Sequence, residues 1–110
     1  MKKQFDERIY SSISLTKLII LAINEIVSNR EECAYERVVK ECFTLFPRAF
    51  CFDSYRDWPD SRRLDRPLRW LRKEKIVVGD PKTSFTLTKL GKEKAIIIEK
   101  RLRQKKLNLF

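Results

Sequence analysis

The chain contains no histidine, and this absence limits the chemistry it can perform. Histidine is the commonest general base, completes the usual serine and cysteine triads, and is a frequent ligand of catalytic metals. Three cysteines, Cys33, Cys42 and Cys51, lie nine positions apart and form no CxxC pair. Since a structural zinc site usually needs four Cys or His ligands, we predict structural thiols, no metal, no cofactor and no catalytic residue.

Glycine and long apolar runs are also scarce. Gly79 and Gly91 are the only glycines, and no Gly/Ser linker divides the 110 residues. The longest apolar run, at 18–23, is far shorter than the ~20 residues of a membrane-spanning helix. The acidic pair Asp6 and Glu7 precedes any apolar run, which is not typical of a signal peptide. We therefore expect one cytoplasmic domain, with no membrane partner and no small-molecule ligand.

Positive charge is plentiful but unevenly distributed. Residues 1–60 hold 9 Lys and Arg against 10 Asp and Glu, whereas residues 61–110 hold 16 against 5. A positive charge concentrated in one half of the chain favours binding of a polyanion such as DNA, because phosphate contacts release condensed counterions. A solvated surface, or attraction to anionic lipid, is the alternative interpretation of the charge.

Hydrophobic periodicity predicts three helices, a two-stranded hairpin and a final helix. The first three helices are predicted at 14–28, 34–46 and 60–75. The hairpin pairs 76–80 with 84–88, and the final helix covers 89–106. Ser14 is a candidate N-cap, Cys42 a core position, and Val77, Phe85 and Leu87 the inward residues of the hairpin. Glu41 falls on the polar side of the second helix.

The first of these helices carries a second apolar stripe, Ile20, Ile23 and Val27, and the chain ends in the apolar tail LNLF. An amphipathic helix of a small monomer needs only one stripe, so the second is expected to cover another helix or a partner subunit. We expect a homodimer, and the candidate contacts are Ile20, Ile23, Val27, Leu102, Leu107, Leu109 and Phe110.

The helix at 60–75 separates charge from apolar residues most sharply. At about 100° per residue, Leu64, Leu68 and Leu71 fall within a sector of about 60°. The opposite sector contains only cations, Arg62, Arg66, Arg69 and Lys73. Pro67 lies between the two sectors, so either the helix kinks there or its regular part begins near Asp65. In the preceding segment 46–59, Phe50, Phe52, Tyr55 and Trp58 are expected to pack over the core, with base stacking as the alternative.

The segment LRWLRKEKIVVGDPKTSFTLTKLGKEKA, residues 68–95, resembles the winged helix-turn-helix domain of bacterial transcription regulators. A leucine-patterned helix runs into a strand, a turn, and a second strand that ends in the LTxxG pattern of residues 87–91. The resemblance implies an α+β, mainly helical winged helix with a three-helix core, a two-strand wing and a C-terminal helix. The expected division is a lead-in at 1–13, the domain at 14–99, and a helix end with apolar tail at 100–110.

By the same resemblance the third helix enters the major groove of double-stranded DNA and the wing touches the adjacent backbone. The implied DNA-binding residues are Arg62, Arg63, Arg66, Arg69, Lys73, Lys75, Lys82, Thr83 and Ser84. The chain departs from a compact helix-turn-helix, whose turn has 3–4 residues, because about 13 residues separate its second and third helices.

Two other functions fit parts of the sequence. Asp60 with Asp80 and Lys82 formally matches the PD…DxK pattern of a nuclease family, but Pro81 is poorly tolerated in the central strand that this chemistry requires. The simpler interpretation of Asp60 is a helix cap, and that of Asp80 a turn residue. The apolar tail and the second stripe instead favour a winged-helix assembly module within a larger complex.

Overall fold

The computed structural model of the protein describes residues 4–107, and the side chains of residues 4–104. This part of the chain is α+β and mostly helical, with five helices and one two-stranded antiparallel sheet. In chain order the elements are α1 (Glu7–Tyr10), α2 (Leu15–Ser28), α3 (Tyr35–Leu45), α4 (Arg62–Lys73), β1 (Val77–Gly79), β2 (Phe85–Leu87) and α5 (Lys89–Leu107). The predicted order of helices and strands is confirmed, and α1 is an addition.

The central element is α2, which packs against α3, α4, α5 and β2. A helix that packs against several elements needs more than one apolar stripe, which explains the two stripes of α2, while Lys17 and Glu25 remain exposed. Ile20 and Ile23 are buried and Val27 is half-buried against the same core, so the second stripe covers other helices of this chain, the first of the two alternatives, and Ile20 and Ile23 are not exposed for contact with a second subunit. Leu102 of α5 is also buried within the protomer. The side chain of Leu107, and all of residues 109 and 110, lie outside what the structure describes.

The N-terminal segment belongs to the core. Phe5 stacks on Phe46 with ring centroids 5.2 Å apart, and its backbone N–H donates to the Leu45 carbonyl. Tyr10 is buried, and its hydroxyl accepts a hydrogen bond from the Arg48 backbone N–H at 3.0 Å. These contacts bind the chain before α2 to the loop that follows α3.

Helix α3 confirms one burial prediction and corrects another. Cys42 is fully buried, as its position on the apolar side predicts. Glu41 is also buried, although the helical pattern assigns it to the polar side. Its carboxylate accepts a hydrogen bond from Arg37 at 2.8 Å, one turn earlier on the same helix. An ion pair and further contacts can satisfy a buried carboxylate, and hydrophobic periodicity alone does not reveal such a partner.

The ends of α2 and α4 share one geometry. After α4, Lys75 adopts φ 57° and donates to the Arg72 carbonyl, while Ile76 donates to the Leu71 carbonyl. This is a Schellman motif, in which a left-handed residue satisfies the last carbonyls of the helix. Arg30 closes α2 in the same way with φ 59°. The motif turns the chain sharply, so β1 begins immediately after α4.

The hairpin is joined to α5 through the LTxxG segment. Thr88 caps α5, because its side-chain oxygen accepts from the Gly91 backbone N–H at 3.1 Å and its hydroxyl lies 2.7 Å from the Lys75 carbonyl. Gly91 permits a close approach, since a Cβ there would lie 2.3 Å from the Ile76 carbonyl oxygen. Gly79 has φ 118°, and a Cβ there would lie 2.0 Å from the Ser84 carbonyl. Both glycines therefore fix the position of the hairpin beside the end of α4.

Candidate nucleic-acid interface

Helix α4 is oriented by three leucines on one side. Leu64, Leu68 and Leu71 are buried in the core, and α4 packs on α2. The helix is continuous from Arg62 to Lys73, so the alternative in which its regular part begins near Asp65 is wrong. Pro67 therefore lies inside the helix and leaves one backbone carbonyl without its usual donor.

The surface opposite the leucines, here called the basic face, consists of Arg62, Arg66, Arg69 and Lys73, all exposed. Arg72 is exposed beside it and was not predicted as a site residue, since it falls outside the narrow sector of the four. Trp70, with 49% of its surface exposed, lies on the opposite flank. The face is cationic along the whole helix.

The two arginines at the start of α4 are held by aspartates. Asp60 accepts from Arg62 through Nε at 2.9 Å and through Nη2 at 3.1 Å, and also from the Arg62 backbone N–H. These hydrogen bonds hold the pKa of Asp60 below its usual value. Arg63 binds the Asp53 carboxylate at 2.6 Å, and its Nε lies 3.7 Å from Asp60. Arg62 and Arg63, both predicted to contact DNA, thus make intramolecular ion pairs.

The cations farther along α4 have no such partners. Within residues 4–104, no hydrogen bond or ion pair engages the side chain of Arg66, Arg69 or Lys73. Asp65, the acid next to Arg66 in sequence, instead accepts from the Tyr35 hydroxyl at 3.1 Å. Burial raises the pKa of Tyr35, and the bond to Asp65 raises it further. Asp65 is thereby held by α3, on the flank of the basic face.

The hairpin carries the remaining predicted site residues. Lys82, Thr83 and Ser84 are exposed in the turn between β1 and β2, and Lys75 is exposed at the end of α4. Asp80 shapes the turn, because its carboxylate accepts from the Lys82 backbone N–H at 2.7 Å. Val77, Phe85 and Leu87 are buried as predicted. These side chains anchor the two strands, and therefore the exposed turn between them, to the core.

The aromatic loop between α3 and α4 only partly follows its predicted packing. Phe50 is buried and Phe52 half-buried, whereas Tyr55 and Trp58 are 70% and 66% exposed. The prediction that all four rings pack over the core is therefore wrong for the last two. The guanidinium carbon of Arg62 lies 5.2 Å from the centre of the Phe52 ring, so this loop adjoins the basic face.

The residues of the nuclease pattern have structural roles. Asp60 precedes α4 and pairs with arginines, while Asp80 lies in the hairpin turn. No cluster of metal-ligating side chains occurs among the described residues, and none of their helices is long and apolar enough to cross a membrane. The three cysteines are buried free thiols, and burial raises the pKa of Cys33 to about 11.

Taken together, these features are a cationic helix surface supported by buried leucines and, next along the chain, an exposed hairpin turn that contains Lys82. Such a surface can bind phosphates, and its arginines can donate two parallel hydrogen bonds to a guanine edge. No protein-family model matches the chain, and no curated protein or solved structure shows significant similarity to it.

Proposed function

We propose that the protein binds double-stranded DNA as a winged-helix transcription regulator. In this proposal α4 lies in the major groove, and the hairpin turn with Lys75 and Lys82 contacts the adjacent backbone. The observation that carries the proposal is the set of cations Arg66, Arg69 and Lys73, which lie opposite the buried leucines and have no side-chain partner among residues 4–104. Exposed arginines without intramolecular partners keep all their donors for phosphates and base edges.

The dimensions of DNA are consistent with this arrangement. The major groove is about 12 Å wide and admits an α-helix, whose outer residues then reach the base edges. Because the hairpin follows α4 through a tight Schellman turn, only a few residues separate the end of the helix from β1. Arg62 and Arg63 are assigned to phosphates at the margin, since their aspartate partners limit their freedom.

The test is a salt titration of binding to random and to upstream genomic duplex, measured by fluorescence anisotropy. We expect log Kd to rise linearly with log salt, by about 0.9 per neutralised phosphate. The double substitution Arg66→Glu with Arg69→Glu should weaken binding by about 100-fold or more, because two like charges then face phosphate.

The matched control is Lys92→Glu with Lys100→Glu, which makes the same charge change at exposed positions of α5. We expect a loss below about tenfold for this control, since only the general field changes. Wild-type affinity in the Arg66/Arg69 variant would show that the assignment of α4 is wrong. Equal losses in both variants would show that diffuse charge alone attracts DNA.

A second candidate function is a protein-assembly module. It is supported by a groove of about 250 Å³ between α2, α4 and α5, which has Ile20, Trp70 and Ile97 in its lining. Ile96 and Ile97 of α5 are also more than half exposed. A homodimer could use these two side chains in place of the second stripe of α2. The salt titration separates the two candidates, because an apolar protein complex persists at salt concentrations that release DNA.

A further inference from the structure

Three aromatic side chains form a small open pocket in the loop before α4. Phe52, Tyr55 and Trp58 line a volume of about 450 Å³ and are here called the aromatic pocket. The rings of Tyr55 and Trp58 are 6.4 Å apart between centroids and inclined at 42°. Both rings are largely exposed, so their faces are accessible to a ligand.

The loop that presents these rings is closed by its own backbone. Cys51 and Pro59 form an antiparallel bridge, and the Phe52 N–H donates to the Trp58 carbonyl at 3.1 Å. The Trp58 N–H in turn donates to the Tyr55 carbonyl at 3.0 Å. The base of the loop is fixed where the Asp60 N–H donates to the Phe50 carbonyl. Because these hydrogen bonds already order the loop, binding of a ligand to the rings has only a small further entropic cost for ordering the backbone.

Charge selects among the ligands that aromatic rings bind. A cage of aromatic rings can hold a quaternary ammonium group. In this pocket, however, the Arg62 guanidinium already lies over the Phe52 ring while Nε and Nη2 bind Asp60, so this ring is not free to hold a second cation. Arg62 instead favours a flat, uncharged ring that is joined to a negative group. A nucleotide has this composition, with its base for the rings and its phosphate for arginine.

We propose that the aromatic pocket stacks an unpaired base of a DNA strand whose phosphates continue along Arg62 and Arg66. The preferred ligand would then be duplex DNA with an adjoining single-stranded segment. This inference rests on the proposed function, since α4 is taken to hold the duplex part. It adds a second contact at the start of the same helix.

The test compares two DNA molecules that differ only in their bases. Each has a duplex of about 20 base pairs and a single-stranded tail of about six nucleotides, made either of adenines or of abasic units with the same phosphates. We expect wild-type protein to bind the adenine tail about tenfold more tightly, a difference of ~1.4 kcal/mol. The substitutions Tyr55→Ala and Trp58→Ala together should remove this preference and leave blunt-duplex affinity unchanged.

Two further variants sharpen the test. Trp58→Phe keeps an aromatic ring and should keep most of the preference, whereas Trp70→Ala removes an exposed tryptophan outside the pocket and should keep all of it. In a Trp70→Phe protein, Trp58 is the single tryptophan of the chain. Its fluorescence should be quenched by the adenine tail and not by the abasic tail.

The outcomes distinguish this inference from the proposed function. Equal affinity of the wild type for the two tails would overturn the inference and leave a protein partner as the occupant of the pocket. A preference that survives loss of both rings would also overturn it. In either case, sensitivity of blunt-duplex binding to Arg66→Glu with Arg69→Glu still tests the proposed function separately. Absence of all DNA binding would overturn both.

Discussion

The first turn of α4 and the rest of the helix use the same residue type in different ways. Arg62 and Arg63 bind Asp60 and Asp53, and so connect the start of the helix to the preceding loop. Arg66 and Arg69, on later turns, have no ionic partner among the described residues. A helix that needed its arginines for folding would be expected to pair all of them. The difference indicates that the early arginines contribute to stability and keep only part of their donors for phosphate, whereas the later ones keep all of theirs for a polyanion.

The largest expected effect is at Asp60, which has 5% of its surface exposed. Asp60→Asn removes a charged acceptor from the Arg62 backbone N–H and from two guanidinium groups, so the free energy of unfolding should fall by about 1.5 kcal/mol. Urea denaturation followed by circular dichroism measures this. Asp53→Asn is the matched control, because that exposed carboxylate forms a surface pair expected to contribute less than about 0.5 kcal/mol.

The same substitution has a defined pH dependence. Since the pKa of Asp60 is lowered in the folded protein, its contribution is complete above the unfolded value of about 3.9 and is lost as pH falls through the folded value. The stability difference between wild type and Asp60→Asn should therefore be constant near neutral pH and shrink in acid. A difference of equal size at all pH values would show that Asp60 acts through packing rather than charge.

Much of the fold follows from local sequence signals. Leucine spacing predicted the buried side of α4, and the LTxxG segment predicted the hairpin and the start of α5. The pairing of Arg63 with Asp53 was not predictable, because Asp53 lies ten residues earlier in a loop whose path depends on tertiary packing. The pairing of Arg62 with Asp60 is local, since the two residues are two positions apart. Whether another helix or a partner subunit covers Ile20 and Ile23 could not be decided from the sequence for a related reason. Periodicity shows that a stripe is apolar but does not say which element covers it.

A smaller effect is expected at the two helix ends. Lys75 and Arg30 both have positive φ in a position where glycine is usual. Replacing either by glycine relieves backbone strain, and after the entropic cost of glycine the protein should gain about 0.5–1 kcal/mol. Thermal denaturation measures the gain. Lys75→Gly should also weaken DNA binding and Arg30→Gly should not, since only Lys75 adjoins the hairpin. Equal weakening by both would contradict the position assigned to Lys75.

The smallest effect on stability is expected where the effect on binding is greatest. Arg66→Gln with Arg69→Gln removes two charges that have no partner in the part of the chain that the structure describes, so the free energy of unfolding should stay within about 0.5 kcal/mol of wild type. Arg63→Gln should cost about 1 kcal/mol, because Arg63 also lies 3.4 Å from the Ala49 carbonyl and pairs with two aspartates. Urea denaturation of both variants measures this contrast. If the Arg66/Arg69 variant were the less stable of the two, those arginines would belong to the fold, and the unpaired cations would no longer support a site for DNA.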